Sequence, residues 1–309
     1  MTFWKNEAEP DQDKESEKEL SMEEEFWRLE KNAKNGDVDA KVGLAEHYYN
    51  GQVVKRDVHN AFHWYLAAAR EDHLEAQCRV GEMYESGTGL PEREKNPEQA
   101  ALRWYLKSAE GGNAKAFFRM GEMYHAGRGV LKNEEKGMDL YTEAAERGST
   151  DAQFRLGEIH ENGEGVLQNY RYAQKWYAKA AEQGHTDAQG KLGAMYDLGK
   201  GFDGADKALK WYTKAAKKGN AEALYRLGMI YNDGRGVKQD YYQAYIWLIV
   251  AVAVGHEKAG QARNKSEGHL NYDQILDAQD MARNWVEDNT QLQHLVGTRD
   301  GGSQPQTDG

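Results

Sequence analysis

One pattern of about 36 residues recurs along most of this chain, and this repetition constrains the fold more than any other feature. The clearest copies are AQCRVGEMYESGTGL, AFFRMGEMYHAGRGV, AQFRLGEIHENGEGV, AQGKLGAMYDLGKGF and ALYRLGMIYNDGRGV, which begin at Ala76, Ala116, Ala152, Ala188 and Ala223. A weaker copy begins at Ala40, so six repeats occupy residues 37–256. One such unit cannot bury its apolar face alone, so neighbouring units are expected to stack.

Each repeat carries the signals of two helices, A and B. In helix A of the last repeat, Ala223, Leu227 and Tyr231 share one face at the spacing i, i+4, i+8. Two glycines follow, as at Gly234 and Gly236, and they predict a tight turn with positive φ. Helix B then starts at a capping residue, or at glycine in the fifth repeat, in the series Asp57, Asn96, Asn133, Asn169, Gly204 and Asp240.

Helix B carries large aromatic side chains, whereas helix A supplies small ones. The segments AQKWYAKAAEQG and ALKWYTKAAKKG are typical of helix B, and a glycine ends each of them as a left-handed cap. Large residues opposite small ones allow two helices to approach closely. The pattern therefore predicts that Gly157 and Gly193 lie at the contact between helices A and B.

The combined pattern A-x-x-x-L-G-x-x-Y…G-x-G-V…D/N…A…W-Y-x-K-A-A-E-x-G resembles the Sel1-like repeat family, a relative of tetratricopeptide repeats. The departures include Ala45 in place of the helix A glycine and His160 in place of its tyrosine. The resemblance implies an all-α fold, a right-handed αα-hairpin solenoid of about six Sel1-like repeats with helical caps. It also implies a non-enzymatic scaffold or adaptor for protein–protein interaction, often in bacterial signalling or envelope assembly.

The two ends of the chain are expected to cap the repeats. A capping-box spacing between Ser21 and Glu24 predicts an N-terminal capping helix over 21–36, after a disordered acidic arm over 1–20. At the other end, residues 257–296 predict C-terminal capping helices, one of which starts at Asn271. The polar segment 297–309 is expected to be a disordered tail.

Charge and composition exclude several classes of protein. The net charge is −11, and residues 1–30 account for −7 of it with eleven acidic and four basic side chains. Since phosphate binding needs clustered Lys and Arg, nucleic acid is not an expected partner. The longest apolar run, 246–254, is about half of a membrane span. With one cysteine, Cys78, and no signal peptide in the sequence, we expect a cytoplasmic protein without a membrane span.

The candidate partner-binding residues lie on helix A, which lines the concave groove in tetratricopeptide relatives. They are the basic series Arg119, Arg155, Lys191 and Arg226, together with the aromatic residues Phe118, Phe154 and Tyr225. Guanidinium groups bind carboxylates bidentately, so these residues predict a groove for a protein or peptide, in particular an acidic segment.

A second interpretation of the basic residues is that they form ion pairs within their own helices. The i, i+3 pairs Arg79–Glu82, Arg119–Glu122 and Arg155–Glu158 would neutralise each other on a solvated face. Lys191 and Arg226 have Ala194 and Met229 at the matching positions, so they are expected to keep unpaired positive charge. The fifth and sixth repeats are therefore predicted to be the better acidic-peptide site.

No catalytic, cofactor or metal site is predicted. His59 and His63 are spaced i, i+4 without a third ligand, and Cys78 has no matched base. Two alternatives to a scaffold stay open: a penicillin-binding or β-lactamase-like enzyme of the cysteine-rich Sel1-like type, and a passive structural spacer. The acidic arm is a further candidate, either for a basic partner or for the chain's own basic residues.

Overall fold

The structure is a computed structural model that describes residues 12–91, 95–199, 204–289 and 292. All regular secondary structure in these residues is α-helical, which confirms the predicted all-α repeat fold. The first compact unit, residues 1–149, contains α1 Gln12–Lys34, α2 Val38–Asn50, α3 Val58–Ala69, α4 Leu74–Ser86, α5 Pro97–Glu110, α6 Ala114–Ala126 and α7 Glu134–Glu146. The second unit, residues 150–309, contains α8 Thr150–Asn162, α9 Tyr170–Glu182, α10 Thr186–Asp197, α11 Ala205–Ala216, α12 Ala221–Asp233, α13 Tyr241–Ala253, α14 Ala259–Glu267 and α15 Tyr272–Glu287.

Each repeat is a pair of adjacent helices, and the B helices start where the capping residues predicted. The Asp57 carboxylate accepts hydrogen bonds from the backbone amides of His59 and Asn60 at the start of α3. Asn133, Asn169 and Asp240 cap α7, α9 and α13 in the same way. These side chains satisfy amides that the first turn of a helix leaves without a partner.

The glycines in the middle of helix A lie against the tyrosine of helix B, as predicted. A Cβ atom added to Gly157 would lie 2.5 Å from Cδ1 of Tyr177, and one added to Gly193 would lie 2.7 Å from Cδ1 of Tyr212. Both tyrosines are buried. Glycine is therefore what lets the two helices of a repeat pack with an aromatic ring between them.

In three turns the second glycine lies against helix B of the repeat before it, at Gly89, Gly129 and Gly236. Gly236 has a φ of +71°, and a Cβ atom there would overlap that of Ala205, the first residue of α11. Gly89 has the same backbone conformation and lies against Val58, the first residue of α3. These positions require glycine both for its left-handed φ and for this close approach.

The terminal helices differ from the expected boundaries at one end. Helix α1 begins at Gln12 rather than at Ser21, because the intervening run is rich in Glu and Lys, which favour helix. The rest of the predicted acidic arm and the whole predicted tail 297–309 lie outside the described residues. At the C-terminal end, Asn271 caps α15, and Trp285 of α15 packs edge-on against Trp247 of α13 at 5.2 Å.

Candidate functional site

Successive A helices carry a basic residue at one fixed position of the repeat. From α4 to α12 these residues are Arg79, Arg119, Arg155, Lys191 and Arg226, and each of them is half-buried. In each unit the A helices also border a groove, so the surroundings of these residues determine what each groove can bind.

The first groove lies in the first unit, between α2, α4 and α6, and has a volume of about 790 Å³. Its charged side chains are the basic Arg79, Lys115, Arg119 and Arg128 and the acidic Glu46, Glu82 and Glu85. These residues give the lining a formal net charge of +1. Tyr49 supplies exposed aromatic surface to the groove, whereas Tyr65, which also lines it, is buried.

Ion pairs cross the first groove from the third repeat to the second. Nζ of Lys115 lies 2.6 Å from Oε1 of Glu82, and Nη2 of Arg119 lies 3.6 Å from the same oxygen. Nη1 of Arg128, in the turn after α6, lies 2.5 Å from Oε1 of Glu85. The two carboxylates therefore hold the cations of the next repeat in fixed positions.

The predicted pairing of Arg119 within its own helix is wrong. Its expected partner Glu122 accepts a hydrogen bond from the buried hydroxyl of Tyr141, and Arg119 contacts Glu82 of α4 instead. The predicted pairs that do form are Arg79–Glu82 at 3.0 Å and Arg155–Glu158 at 3.6 Å.

Two of the three carboxylates of the first groove, those of Glu82 and Glu85, lie deeper than its cations, whereas Glu46 is exposed. The side chains of Glu82 and Glu85 are 17% and 14% exposed, whereas those of Arg119 and Arg128 are 37% and 40% exposed. The surface that an incoming chain would meet is therefore more positive than the net charge of the lining suggests.

The three predicted aromatic residues have different surroundings. Phe118 is half-buried in the first unit and lies outside the lining of the first groove. Phe154 stacks on the imidazole of His185, with 4.4 Å between the ring centroids, and its exposed surface lines the groove of the second unit. Tyr225 stacks on His256 at 4.3 Å. The structure thus does not bring the three residues into one aromatic surface within either groove.

The second groove lies in the second unit, between α8, α10 and α12, and has a volume of about 520 Å³. Its apolar lining comes from Phe154, Ala194, Met195 and Leu198. Its charged residues are Lys191 and the acidic Glu158, Glu161, Asp187 and Glu222, which give a formal net charge of −3. The two grooves therefore have opposite charge.

The prediction that Lys191 and Arg226 keep unpaired positive charge is wrong. Nζ of Lys191 lies 3.0 Å from Oε2 of Glu161 in the preceding repeat. Nε of Arg226 lies 2.6 Å from Oε1 of Glu222, one turn earlier on α12. The prediction considered only the position three residues later on each helix, whereas the acidic partners lie elsewhere. The fifth and sixth repeats are consequently not a site of excess positive charge.

Glu222 stays ionised at the edge of the second groove. Partial burial favours the protonated carboxyl, but hydrogen bonds from His256 and Arg226 outweigh it and lower the pKa of Glu222. The His256 Nε2 atom lies 2.9 Å from the carboxylate. The negative charge of this groove therefore persists at neutral pH.

The sequence analysis missed the acidic residues one turn further along helix A. Glu85 and Glu161 accept hydrogen bonds from the buried hydroxyls of Tyr105 and Tyr177, at 2.7 and 2.8 Å, while also pairing with cations. Asp197 takes the same position in the fifth repeat, with a side chain only 6% exposed. The sequence carried a signal for this position, because an acidic residue recurs there in three repeats.

Nothing in the described residues forms a metal centre, since no three His, Cys, Asp or Glu side chains converge there. His59 and His63 are both exposed on α3. Burial raises the pKa of the Cys78 thiol to about 12, which opposes formation of a nucleophilic thiolate. No helix in the described ranges has the length and apolar composition that crossing a membrane takes.

Comparison with known proteins identifies the repeat. The Sel1 repeat model matches six consecutive segments of the chain: residues 38–73, 74–113, 114–149, 150–185, 186–220 and 221–256. The chain therefore belongs to the Sel1 repeat family, as the sequence pattern predicted. Sel1 repeat proteins generally mediate protein–protein interactions, and their repeat solenoids are generally non-enzymatic.

Solved structures of bacterial proteins share this fold. The chain is 35% identical to a Sel1 repeat protein from Oxalobacter formigenes, with a TM-score of 0.63, over 70% of this chain and 87% of that one. It is 26% identical to c5321, a protective antigen of uropathogenic Escherichia coli strains with an SLR fold. That comparison has a TM-score of 0.55 and covers 92% of this chain and 68% of the other. No protein in the curated set matches.

Proposed function

We propose that this chain is a non-catalytic adaptor that binds an acidic segment of a partner protein in the first groove. The observation that carries the proposal is the arrangement of charge by depth. The side chains of Arg119 and Arg128 are two to three times as exposed as those of the carboxylates that they pair with. An incoming carboxylate would meet positioned guanidinium groups before it met Glu82 or Glu85, and such groups bind carboxylates with two parallel hydrogen bonds.

The basic residues of this groove are held in place before any partner arrives. Glu82 pairs with both Lys115 and Arg119, so these long side chains lose less freedom on binding than unrestrained ones would. The proposal retains Arg119 from the sequence prediction and adds Lys115 and Arg128.

Other residues of the sequence prediction have no part in this proposal. Lys191 and Arg226 are engaged by Glu161 and Glu222, and Tyr225 by His256. Arg155 pairs with acids of its own repeat, and Phe118 lies outside the groove lining. A cytoplasmic location is also part of the proposal, and cell fractionation tests it.

The test is a selection of random dodecapeptides, displayed on phage, against the full chain. We expect enriched peptides rich in Asp and Glu, with saturable binding when synthetic copies are titrated by fluorescence anisotropy. Arg119→Glu should weaken that binding by about tenfold or more, since it removes a charge-assisted contact and adds repulsion. The control is Arg103→Glu, which makes the same charge change at an exposed position of α5 in the same unit.

Three outcomes would contradict the proposal. Acidic peptides that bind Arg119→Glu as tightly as the parent would place their site elsewhere. Equal loss in Arg119→Glu and Arg103→Glu would indicate a general charge effect rather than a groove. A selection that recovers nothing saturable would favour the passive spacer. Any real interaction of this kind should also weaken as salt concentration rises.

A further inference from the structure

The second groove contains a gap that the repeat pattern makes visible. At the position where other A helices carry Phe118, Phe154 or Tyr225, α10 carries Gly190. One turn later, where others carry Glu82, Glu122 or Glu158, α10 carries Ala194. Two adjacent side chains present in other repeats are thus reduced to a hydrogen atom and a methyl group.

The gap has room for a side chain at Gly190. The atoms nearest to a Cβ added there belong to the side chain of Asn220, at 3.6–3.7 Å, which is an ordinary van der Waals distance. The corresponding test at Gly193, three residues further along the same helix, places the added atom 2.7 Å from Tyr212. Gly193 is therefore needed for helix packing, whereas Gly190 is not.

The walls of the gap are apolar. Phe154 of α8 forms one side, and Met195 of α10 and Leu198, which directly follows α10, line the groove with it. Leu198 is 54% exposed, which leaves apolar surface open to a partner. A volume of about 520 Å³ is within the range of sites that bind small ligands, and it is large enough for a leucine or phenylalanine side chain.

The rim of the gap is negative. Asp187 accepts a hydrogen bond from the amide of Asn220 at 3.0 Å and makes no ion pair among the described residues. Glu158 and Glu222 also line the groove, while the arginines that pair with them, Arg155 and Arg226, do not. A cation brought by a partner would therefore meet carboxylates on the rim and only one resident cation.

From the gap, its apolar walls and its negative rim we infer that the second groove binds a basic peptide segment. One large apolar side chain of this segment lies in the gap at Gly190, and an adjacent Lys or Arg lies against Asp187 and Glu222. This partner chemistry is opposite to that proposed for the first groove. The inference shares with the proposed function only the premise that the chain binds peptides. The chain would then be able to hold two chemically different segments, one in each unit.

The same phage-displayed dodecapeptide selection tests the inference independently of the first groove. We expect a second class of enriched peptides, with Leu, Met or Phe next to Lys or Arg. Gly190→Phe installs the residue that the third and fourth repeats carry at this position, so the fold should tolerate it. The variant should weaken binding of the basic–apolar peptides by about tenfold or more. Burying a large apolar side chain is worth about 1.5–3 kcal/mol, which corresponds to a factor of about 10 to 150 in affinity.

Matched variants separate filling of the gap from other effects. Gly190→Ala adds one methyl group and should change the affinity by about fourfold or less, given the value of a single buried carbon. Asp187→Asn should weaken binding by about twofold to fivefold at low salt and less at high salt, as for an exposed ion pair. Acidic peptides of the first class should bind Gly190→Phe as they bind the parent.

Each result decides the inference. Basic–apolar peptides that bind Gly190→Phe unchanged would show that the gap is not their site, and a selection that yields only acidic peptides would show that the second groove has no such partner. Loss of both peptide classes in Gly190→Phe, with unchanged circular dichroism, would contradict two separate sites. A selection against the parent chain that yields basic–apolar peptides but no acidic ones would instead overturn the proposed function.

Discussion

Two glycines on one helix should respond to alanine in opposite directions. Gly190 and Gly193 both lie within α10, so alanine at either position gains the same intrinsic helix preference, about 1 kcal/mol. They differ in what the new methyl group meets. At Gly190 it lies 3.6 Å from a side chain near the surface, whereas at Gly193 it lies 2.7–3.0 Å from three ring atoms of Tyr212.

The packing cost at Gly193 can be estimated from those distances. Carbon atoms attract each other at about 3.5–4.0 Å and repel strongly when closer, so Tyr212 must move. Its ring is 1% exposed and has little room, which makes an overpacking cost of about 1–3 kcal/mol appropriate. Gly190→Ala should therefore stabilise the chain by about 1 kcal/mol. Gly193→Ala should be neutral to about 2 kcal/mol destabilising, since the helix gain offsets part of the cost.

Urea unfolding followed by circular dichroism measures both variants against the parent. The difference between the two free energies of unfolding isolates the packing cost, because the helix preference is common to both. We expect Gly193→Ala to be less stable than Gly190→Ala by about 1–3 kcal/mol. If Gly193→Ala equals or exceeds Gly190→Ala in stability, the glycines of helix A are not what allows the tyrosines of helix B to pack.

Three further predictions follow from the same contacts. Tyr177→Phe should lower the free energy of unfolding in urea by about 1–2 kcal/mol because it removes a donor to Glu161. Tyr212→Phe should be neutral or stabilising because that buried hydroxyl has no partner among the described residues. Equal effects of the two variants would refute the distinction. Removal of residues 271–309 should expose Trp247 and cause self-association, which light scattering would detect. A monomeric truncated chain with an unchanged melting temperature would contradict the capping role of α15. The pKa of Cys78, raised to about 12, leaves its thiol protonated through neutral pH. Alkylation by iodoacetamide at pH 8 should therefore be slower in the folded chain than in urea by a factor on the order of a thousand. Comparable rates would show an accessible thiolate.

The repeat made the fold predictable, because every signal occurs several times. A capping residue such as Asn169 is a weak indication alone, but its recurrence fixes where each B helix begins. The same holds for Gly157 and Gly193, whose small size explains the aromatic pairs opposite them. The start of α1 was less predictable, since no repeat constrains it and its boundary depends on local preference alone.

The charges of the grooves were only partly predictable, because ion pairs here connect separate helices. The spacing within one helix correctly gave Arg79–Glu82 but not Arg119–Glu82, which depends on how two repeats pack. For the same reason the partner of Lys191 is 30 residues away in sequence. The gap at Gly190 was visible in the repeat pattern, but only the packing of its neighbours distinguishes it from Gly193.

The central claim is that partners bind on the A helices, and lysine footprinting tests it most directly. The partner would be recovered by crosslinked pull-down from the native cell, and the complex and the free chain acetylated in parallel and compared by mass spectrometry. Lys115 and Lys191 line the two grooves, whereas Lys107 and Lys214 lie over tryptophans on B helices. We expect protection of Lys115, of Lys191 or of both, with Lys107 and Lys214 unchanged. Protection of Lys107 and Lys214 with both groove lysines unaffected would contradict the account.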